Sequence, residues 1–447
     1  MTINRTSSKR KIQYGIGIIL ILLLAYGSNY GLKYAYIGSS YDAKMVCSCV
    51  FISGRGLDSI KTEDLYTVPY ANIEVDKELQ TVTADIYGLA KTKAIYRKGL
   101  GCTLVNEISE EELRNQPSVP SADTLTEQLQ TATETPNNID KTLLTKAVDA
   151  VFMEKEATNV MRTRAVVVLH KGQIIAEKYA KNITSQTPLI GWSMTKSVTN
   201  TMMALLVKDG KIDIKKPAPV AEWQSNNRKN ITIDHLLRMS SGLDFNENYA
   251  SPSDATEMLF RKKGAGSFAL LSKTAAEPDK IWSYSSGTSN ILQEIIRRQF
   301  PTLADYLAFP HLRLFHKIGM KSAVLEPDAS GTYVGSSFMF ATARDWAKFG
   351  QLYLQDGVWN SERLLPEGWV KYSSTETAHS GGTYGAQFWM NHNDKSFPQD
   401  AFYADGFEGQ SVTIIPSKDM VIVRLGCTPG DAFDFTKFVK SIVAAVK

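Results

Sequence analysis

The chain is poor in the residues that mark several common catalytic designs. Only six histidines occur in 447 residues (170, 235, 311, 316, 379 and 392), and none forms an H-E-x-x-H helix or stands at a recognisable triad motif. His379 and His392 are the histidines best placed in sequence for a cleft. There are four cysteines, Cys47, Cys49, Cys102 and Cys427. A C-x-C pair with one distant cysteine and no nearby histidine is a poor zinc pattern, so no metal site is expected. Basic residues barely exceed acidic ones, 50 against 46. Four of the basic ones, Arg5, Lys9, Arg10 and Lys11, precede every acidic residue, so the remainder is near neutral. That excludes a basic face for nucleic acid. Internal repeats are absent as well, and nothing calls for a cofactor.

The basic start is followed by an apolar run whose strongest part is Ile16 to Tyr26. This is an export pattern. Extended through Leu32 it is long enough to span a bilayer, with Lys33 at the outer interface. A cleaved signal peptide competes, because Ala25-Tyr26-Gly27 offers small residues at the right spacing. The uncleaved anchor is the favoured reading, with the bulk of the chain outside the cytoplasm, periplasmic or extracellular. In that setting a disulfide from Cys102 to Cys47 or Cys49 is expected, one thiol being left over. The organisation that follows is a cytoplasmic tail over 1–12, an anchor helix over 13–33 and a small β-containing region over 34–112. A polar, proline-bearing linker over 113–138 precedes a catalytic domain over 139–447.

Within that domain a helix is expected from Ile139 to about Met153. A hairpin follows, Ala165 to Leu169 and Ile174 to Tyr179, turning at Lys171-Gly172. A second hairpin near the C-terminus turns at Pro416 to Asp419, and a closing helix runs from about Phe433 to Val446. Strands at both ends bracket a helix-rich middle. The implied architecture is α/β: an antiparallel sheet flanked by the terminal helices, with a helical lobe on the other side and the site between.

The stretch "GWSMTKSVTNTMMALLVKDG" carries the chemistry. Met194, Val198, Met202, Leu205 and Leu206 form one apolar helical face, and Gly210 is a C-terminal stop. Ser193 and Lys196 then lie one turn apart, offset from that face and free to point into a cleft. A serine in a first helical turn sits among unpaired N–H donors, which suit an oxyanion. The plain alternative is a helix cap. Spacing alone decides nothing, since Ser8 and Lys11 repeat it in the basic tail. The G-x-S-x-G elbow fails at Thr195. Trp192 and Trp389 are candidates to line an apolar pocket.

Four segments occur in a telling order: "SMTK", "LLRMSSGLDF", "WSYSSGTSNIL" and "YADGFEGQSVTIIP". Together they resemble the serine β-lactamase and penicillin-binding superfamily, class C-like branch, close to 6-aminohexanoate-dimer hydrolases and related esterases. The resemblance covers about residues 139 to 447. It implies the β-lactamase/transpeptidase-like fold and a serine hydrolase cleaving amide or ester bonds. Ser193 is then the nucleophile, with Lys196 and Tyr284 as its base and proton-transfer groups. The backbone N–H groups of Ser193 and Phe407 form the oxyanion hole, and Trp192, Ser286, Gly406 and Gln410 contact substrate. Ala404-Asp405-Gly406 stands where K-T-G is usual, which argues against recognition of a β-lactam carboxylate. The expected substrate is a small amide, ester or peptide. A D-alanyl peptidase acting on peptidoglycan, or a catalytically silent membrane-anchored binding protein of the same fold, are the competing readings.

Overall fold

The computed structural model describes residues 5–119, 129–134, 136–154 and 159–447; the side chains of residues 5–13 and 15–26 lie outside the described set. The sheet of the large domain has six antiparallel strands. In chain order these are β5 (Thr163–His170), β6 (Gln173–Tyr179), β7 (Trp389–Met390), β8 (Phe402–Gly406), β9 (Gln410–Ile415) and β10 (Met420–Gly426). Their spatial order is β7-β8-β9-β10-β5-β6. β5 and β10 are buried on both faces, which is why "AVVVL" and "MVIVRL" read as continuous β-branched runs rather than alternating ones.

The two faces have different coverings. Val166, Val168 and Ile422 pack under two terminal helices, α2 (Lys141–Ala150) and α6 (Phe435–Val443). Val167, Leu169, Val421 and Val423 face the main core, which includes α3 (Met194–Lys208), α4 (Ser286–Arg297) and α5 (Ala343–Leu354). This is the α/β, β-lactamase/transpeptidase-like arrangement.

Two expectations need correction. α3 is not amphipathic with one apolar face: every residue from Met194 to Leu206 is buried. The polar ones are affordable there because each finds a partner. Ser197 donates to Gln387 O at 2.6 Å, Thr199 to Gly335 O at 2.9 Å and Asn200 to Ala386 O at 2.9 Å. The N-terminal region also differs. A single helix, α1, runs Arg5–Phe51, well past the expected anchor boundary. Its last turns lie on a four-stranded antiparallel sheet, β1 (Asn72–Asp76), β2 (Thr81–Ile86), β3 (Leu89–Arg97) and β4 (Gly101–Leu104). The apolar run of the expected anchor falls on side chains outside the described set. Among the described residues no helix is long and apolar enough to cross a membrane.

The N-terminal region is fastened to the large domain by buried charge. Lys44 on α1 pairs with Glu326, whose carboxylate also accepts from Ser48 Oγ at 2.8 Å and from the Cys102 N–H at 2.6 Å. Arg164 on β5 bonds both Asp64 oxygens, at 2.9 and 2.8 Å. Cys47 is bonded to Cys102, leaving Cys49 and Cys427 as buried thiols. Part of the 113–138 linker returns to the sheet, where Thr131 bridges Ile174 on β6.

Candidate active site

The chain enters α3 through a constrained bend. Gly191 donates to Met339 O at 2.8 Å, and Trp192 has φ of +46°, an uncommon conformation for a bulky residue. Such strain persists only where its surroundings enforce it. Here the indole N–H donates to the buried Glu408 carboxylate at 3.2 Å. Ser193 follows at the N-cap position, yet its side chain makes no capping hydrogen bond. The hydroxyl instead turns to Lys196, whose Nζ lies 2.9 Å from Ser193 Oγ.

Lys196 is fully buried. Its amine also reaches Ser286 Oγ at 3.1 Å and Ser336 O at 3.0 Å. Nζ stands 4.7 Å from the centre of the Tyr284 ring. Opposing influences act on its charge. Burial disfavours the ammonium, while the Glu247 and Asp405 carboxylates favour it. Burial wins, and the pKa falls from 10.5 to about 8. Burial raises the Tyr284 pKa, with the nearby Ser193 side chain opposing the rise, so it is a neutral phenol near pH 7. Its ring packs at 5.1 Å on Trp389 and 5.9 Å on Tyr384. Trp389 therefore buttresses Tyr284 rather than lining the cleft.

Ser286, in the first turn of α4, belongs to a network that the sequence did not disclose. Its N–H and Oγ donate to Glu247, at 2.9 and 2.5 Å. Tyr249 donates to the same carboxylate at 2.8 Å and lies 2.9 Å from Ser286 Oγ. Glu247 and Tyr249 sit in "DFNENYASPS", a stretch with no motif to announce them. Asp405 was visible only as part of a broken K-T-G; burial raises its pKa to about 7, and Lys196 opposes that rise.

Opposite Ser193, the hairpin from β8 to β9 presents Phe407. Gly406 lies so close to the α3 entry that a Cβ there would stand 2.2 Å from Gly191 O. Among the described residues, the N–H groups of Ser193 and Phe407 donate to no protein acceptor. Ser193, Trp192, Tyr284 and Phe407 line one cavity of about 230 Å³. Gln410 is not brought to it. Its amide is consumed holding the hairpin, donating to Phe407 O at 3.1 Å and Gly426 O at 2.8 Å and accepting from Gly426 N. Neither His379 nor His392 lines the cavity. Among the described residues no group of His, Cys, Asp and Glu has a metal-binding arrangement.

A serine hydroxyl beside a desolvated lysine and a neutral tyrosine, between a mixed helical lobe and an antiparallel sheet, defines a serine hydrolase of the β-lactamase/transpeptidase type. The chain belongs to the beta-lactamase family, whose model matches residues 148–437. It is 24% identical over 292 residues to the 6-aminohexanoate-dimer hydrolase of Paenarthrobacter ureafaciens, covering 60% of this chain and 73% of that one. Solved structures share the fold. A candidate 6-aminohexanoate-dimer hydrolase from Bacillus anthracis superposes with a TM-score of 0.58 at 21% identity, over 73% of this chain and 88% of the other. A penicillin-binding protein homologue from Caulobacter crescentus gives 0.56 at 12% identity, over 70% and 99%.

Proposed function

We propose that the chain hydrolyses amide or ester bonds through an acyl-enzyme on Ser193. The observation that carries this is the 2.9 Å contact between Ser193 Oγ and a lysine amine whose pKa burial lowers to about 8. A serine hydroxyl needs a neighbouring base, and a lysine serves only when its neutral form is accessible. Neutral Lys196 accepts the Ser193 proton as Oγ attacks the carbonyl carbon. The free N–H groups of Ser193 and Phe407 receive the developing oxyanion. Tyr284, lining the same cavity as Ser193, passes a proton to the departing alcohol or amine as the C–O or C–N bond breaks. Water then adds to the acyl carbon by the reverse proton path, and the carboxylic acid leaves.

The relative named for 6-aminohexanoate dimers points to amide bonds, and the absence of K-T-G weighs against β-lactams and D-alanyl peptides. A panel of small amides, esters, a penicillin and a peptidoglycan stem peptide, competed against a fluorophosphonate label, tests this. Esters or linear amides should protect Ser193 from the label. Protection by the stem peptide alone would favour the peptidase.

We also propose that the N-terminal segment anchors the protein with its catalytic domain outside the cytoplasm. Support comes from the four leading basic residues and the apolar run Ile16 to Tyr26. Full-length protein recovered in the membrane fraction after alkaline extraction is the expected result, and recovery in the soluble cytosolic fraction would refute it.

A further inference from the structure

One wall of the cavity before Ser193 comes from outside the family domain. Tyr34, Ile37, Gly38 and Tyr41 of α1 line it at helical spacing, joined by Thr67 and Val68. All six precede residue 148, where the family match begins. The wall is fixed in place. Tyr41 lies parallel to the Trp192 indole, with ring centres 6.4 Å apart and 4° between planes, and meets the Phe260 ring at 5.8 Å. Within the next two turns, the Lys44–Glu326 pair and the Cys47–Cys102 bond pin the same helix. Leu259, Phe260 and Phe407 extend the apolar wall, Tyr249, Ser251, Thr256 and Ser337 also border the cavity, and no aspartate, glutamate, lysine, arginine or histidine lines it.

We propose that this is an acyl-chain pocket: the substrate is an ester or amide whose acyl part is an uncharged hydrocarbon chain, and α1 selects it. The inference rests on the acyl-enzyme reading above. A charged substituent entering this cavity would lose water without gaining a counter-charge. An apolar chain would gain contact with aromatic and aliphatic walls. The acyl side is assigned, rather than the leaving group, because the acyl chain stays tied to Ser193 through both half-reactions, whereas a polar alcohol or amine must escape to water. The hydrocarbon could arrive on a soluble ester or on a lipid, and the chemistry of the pocket is the same for both.

The test uses the full chain with p-nitrophenyl acetate and p-nitrophenyl octanoate, the octanoate offered free and in phosphatidylcholine vesicles. Wild type should favour octanoate in kcat/KM by about tenfold or more. Ile37→Trp and Thr67→Trp, which fill the pocket from two separate elements, should each lower the octanoate-to-acetate ratio by about tenfold, mainly through KM. A preference surviving only with vesicles identifies a lipid source, and one surviving only with free ester a soluble source. Octanamide binding to Ser193→Ala, followed by calorimetry, gives a readout independent of turnover, and Ile37→Trp should weaken it. If Ser193→Ala still cleaves the esters, the acyl-enzyme reading fails while the binding result still judges the pocket. Preference for acetate in wild type, or an unchanged ratio and unchanged octanamide binding in both tryptophan variants, would overturn the proposal.

Discussion

Replacing Lys196 by methionine removes the titrating amine but keeps most of the side chain's length and apolar volume. The folded amine has a pKa of about 8 against 10.5 for a free lysine. Both rate and stability follow from that gap. Activity needs the neutral amine, so kcat/KM of the wild type should rise with pH along one ionisation near 8 and then level. Losing the base should cost about 10²- to 10⁴-fold, with the ionisation gone. For stability the folded pKa is the lower one, so between the two values the unfolded chain holds more protons. Stability from this group is therefore lowest below about pH 8, rises through the window and levels above 10.5. The interval between 8 and 10.5 corresponds to about 3 kcal/mol. Urea unfolding of wild type and Lys196→Met across that range reads it, every other titrating group except the coupled Asp405 being common to both. The difference, wild type minus variant, should climb by about that amount. A flat difference, or a variant that keeps the wild-type pH–rate profile, would show that Lys196 is neither desolvated nor the base.

Further expectations test neighbouring parts. Glu247→Gln removes a carboxylate that holds the Lys196 pKa up, so the midpoint of the pH–rate profile should move to lower pH; a midpoint that stays put or rises would count against that coupling. Gly406→Ala places a Cβ against Gly191 O and should lower kcat through the oxyanion hairpin, with a measurable loss of thermal stability. Lys44→Met leaves Glu326 buried without its cation and should cost about 3–5 kcal/mol in denaturant titration; a loss under ~1 kcal/mol would show the pair to be dispensable. Opening the bond between Cys47 and Cys102, which are 55 residues apart, should cost about 4 kcal/mol by loop-closure entropy, read as a fall in the unfolding midpoint of the double serine variant.

Much of the fold was legible because it lies in local patterns. The strand runs of β5 and β10 are uninterrupted and β-branched, and their turns carry Lys171-Gly172 and Pro416 to Asp419, so both hairpins stood out. Ser193, Lys196 and Tyr284 could be named because each sits in a recognisable short motif, and the structure places them in mutual contact. What was missed depends on long-range packing. The all-round burial of α3 could not be read from Thr199 and Asn200, whose acceptors are more than 130 residues away. Gln410 looked like a cleft residue by its place in the motif, but its amide serves the hairpin. Glu247 and Tyr249 reach Ser286 through a loop without a pattern. The hydrophobicity of α1 suggested a membrane segment and hid the pocket-lining stripe of Tyr34, Ile37, Gly38 and Tyr41 further along the same helix.

The most direct test of the acyl-enzyme is to trap it. The full chain is mixed with an activated ester, quenched in acid during steady turnover, digested and mapped by mass spectrometry. The account predicts one acyl group per chain on Ser193, absent from Ser193→Ala and barely detectable in Lys196→Met. An active enzyme with its acyl group on any other residue, or a Ser193→Ala variant that turns over at the wild-type rate, would contradict it.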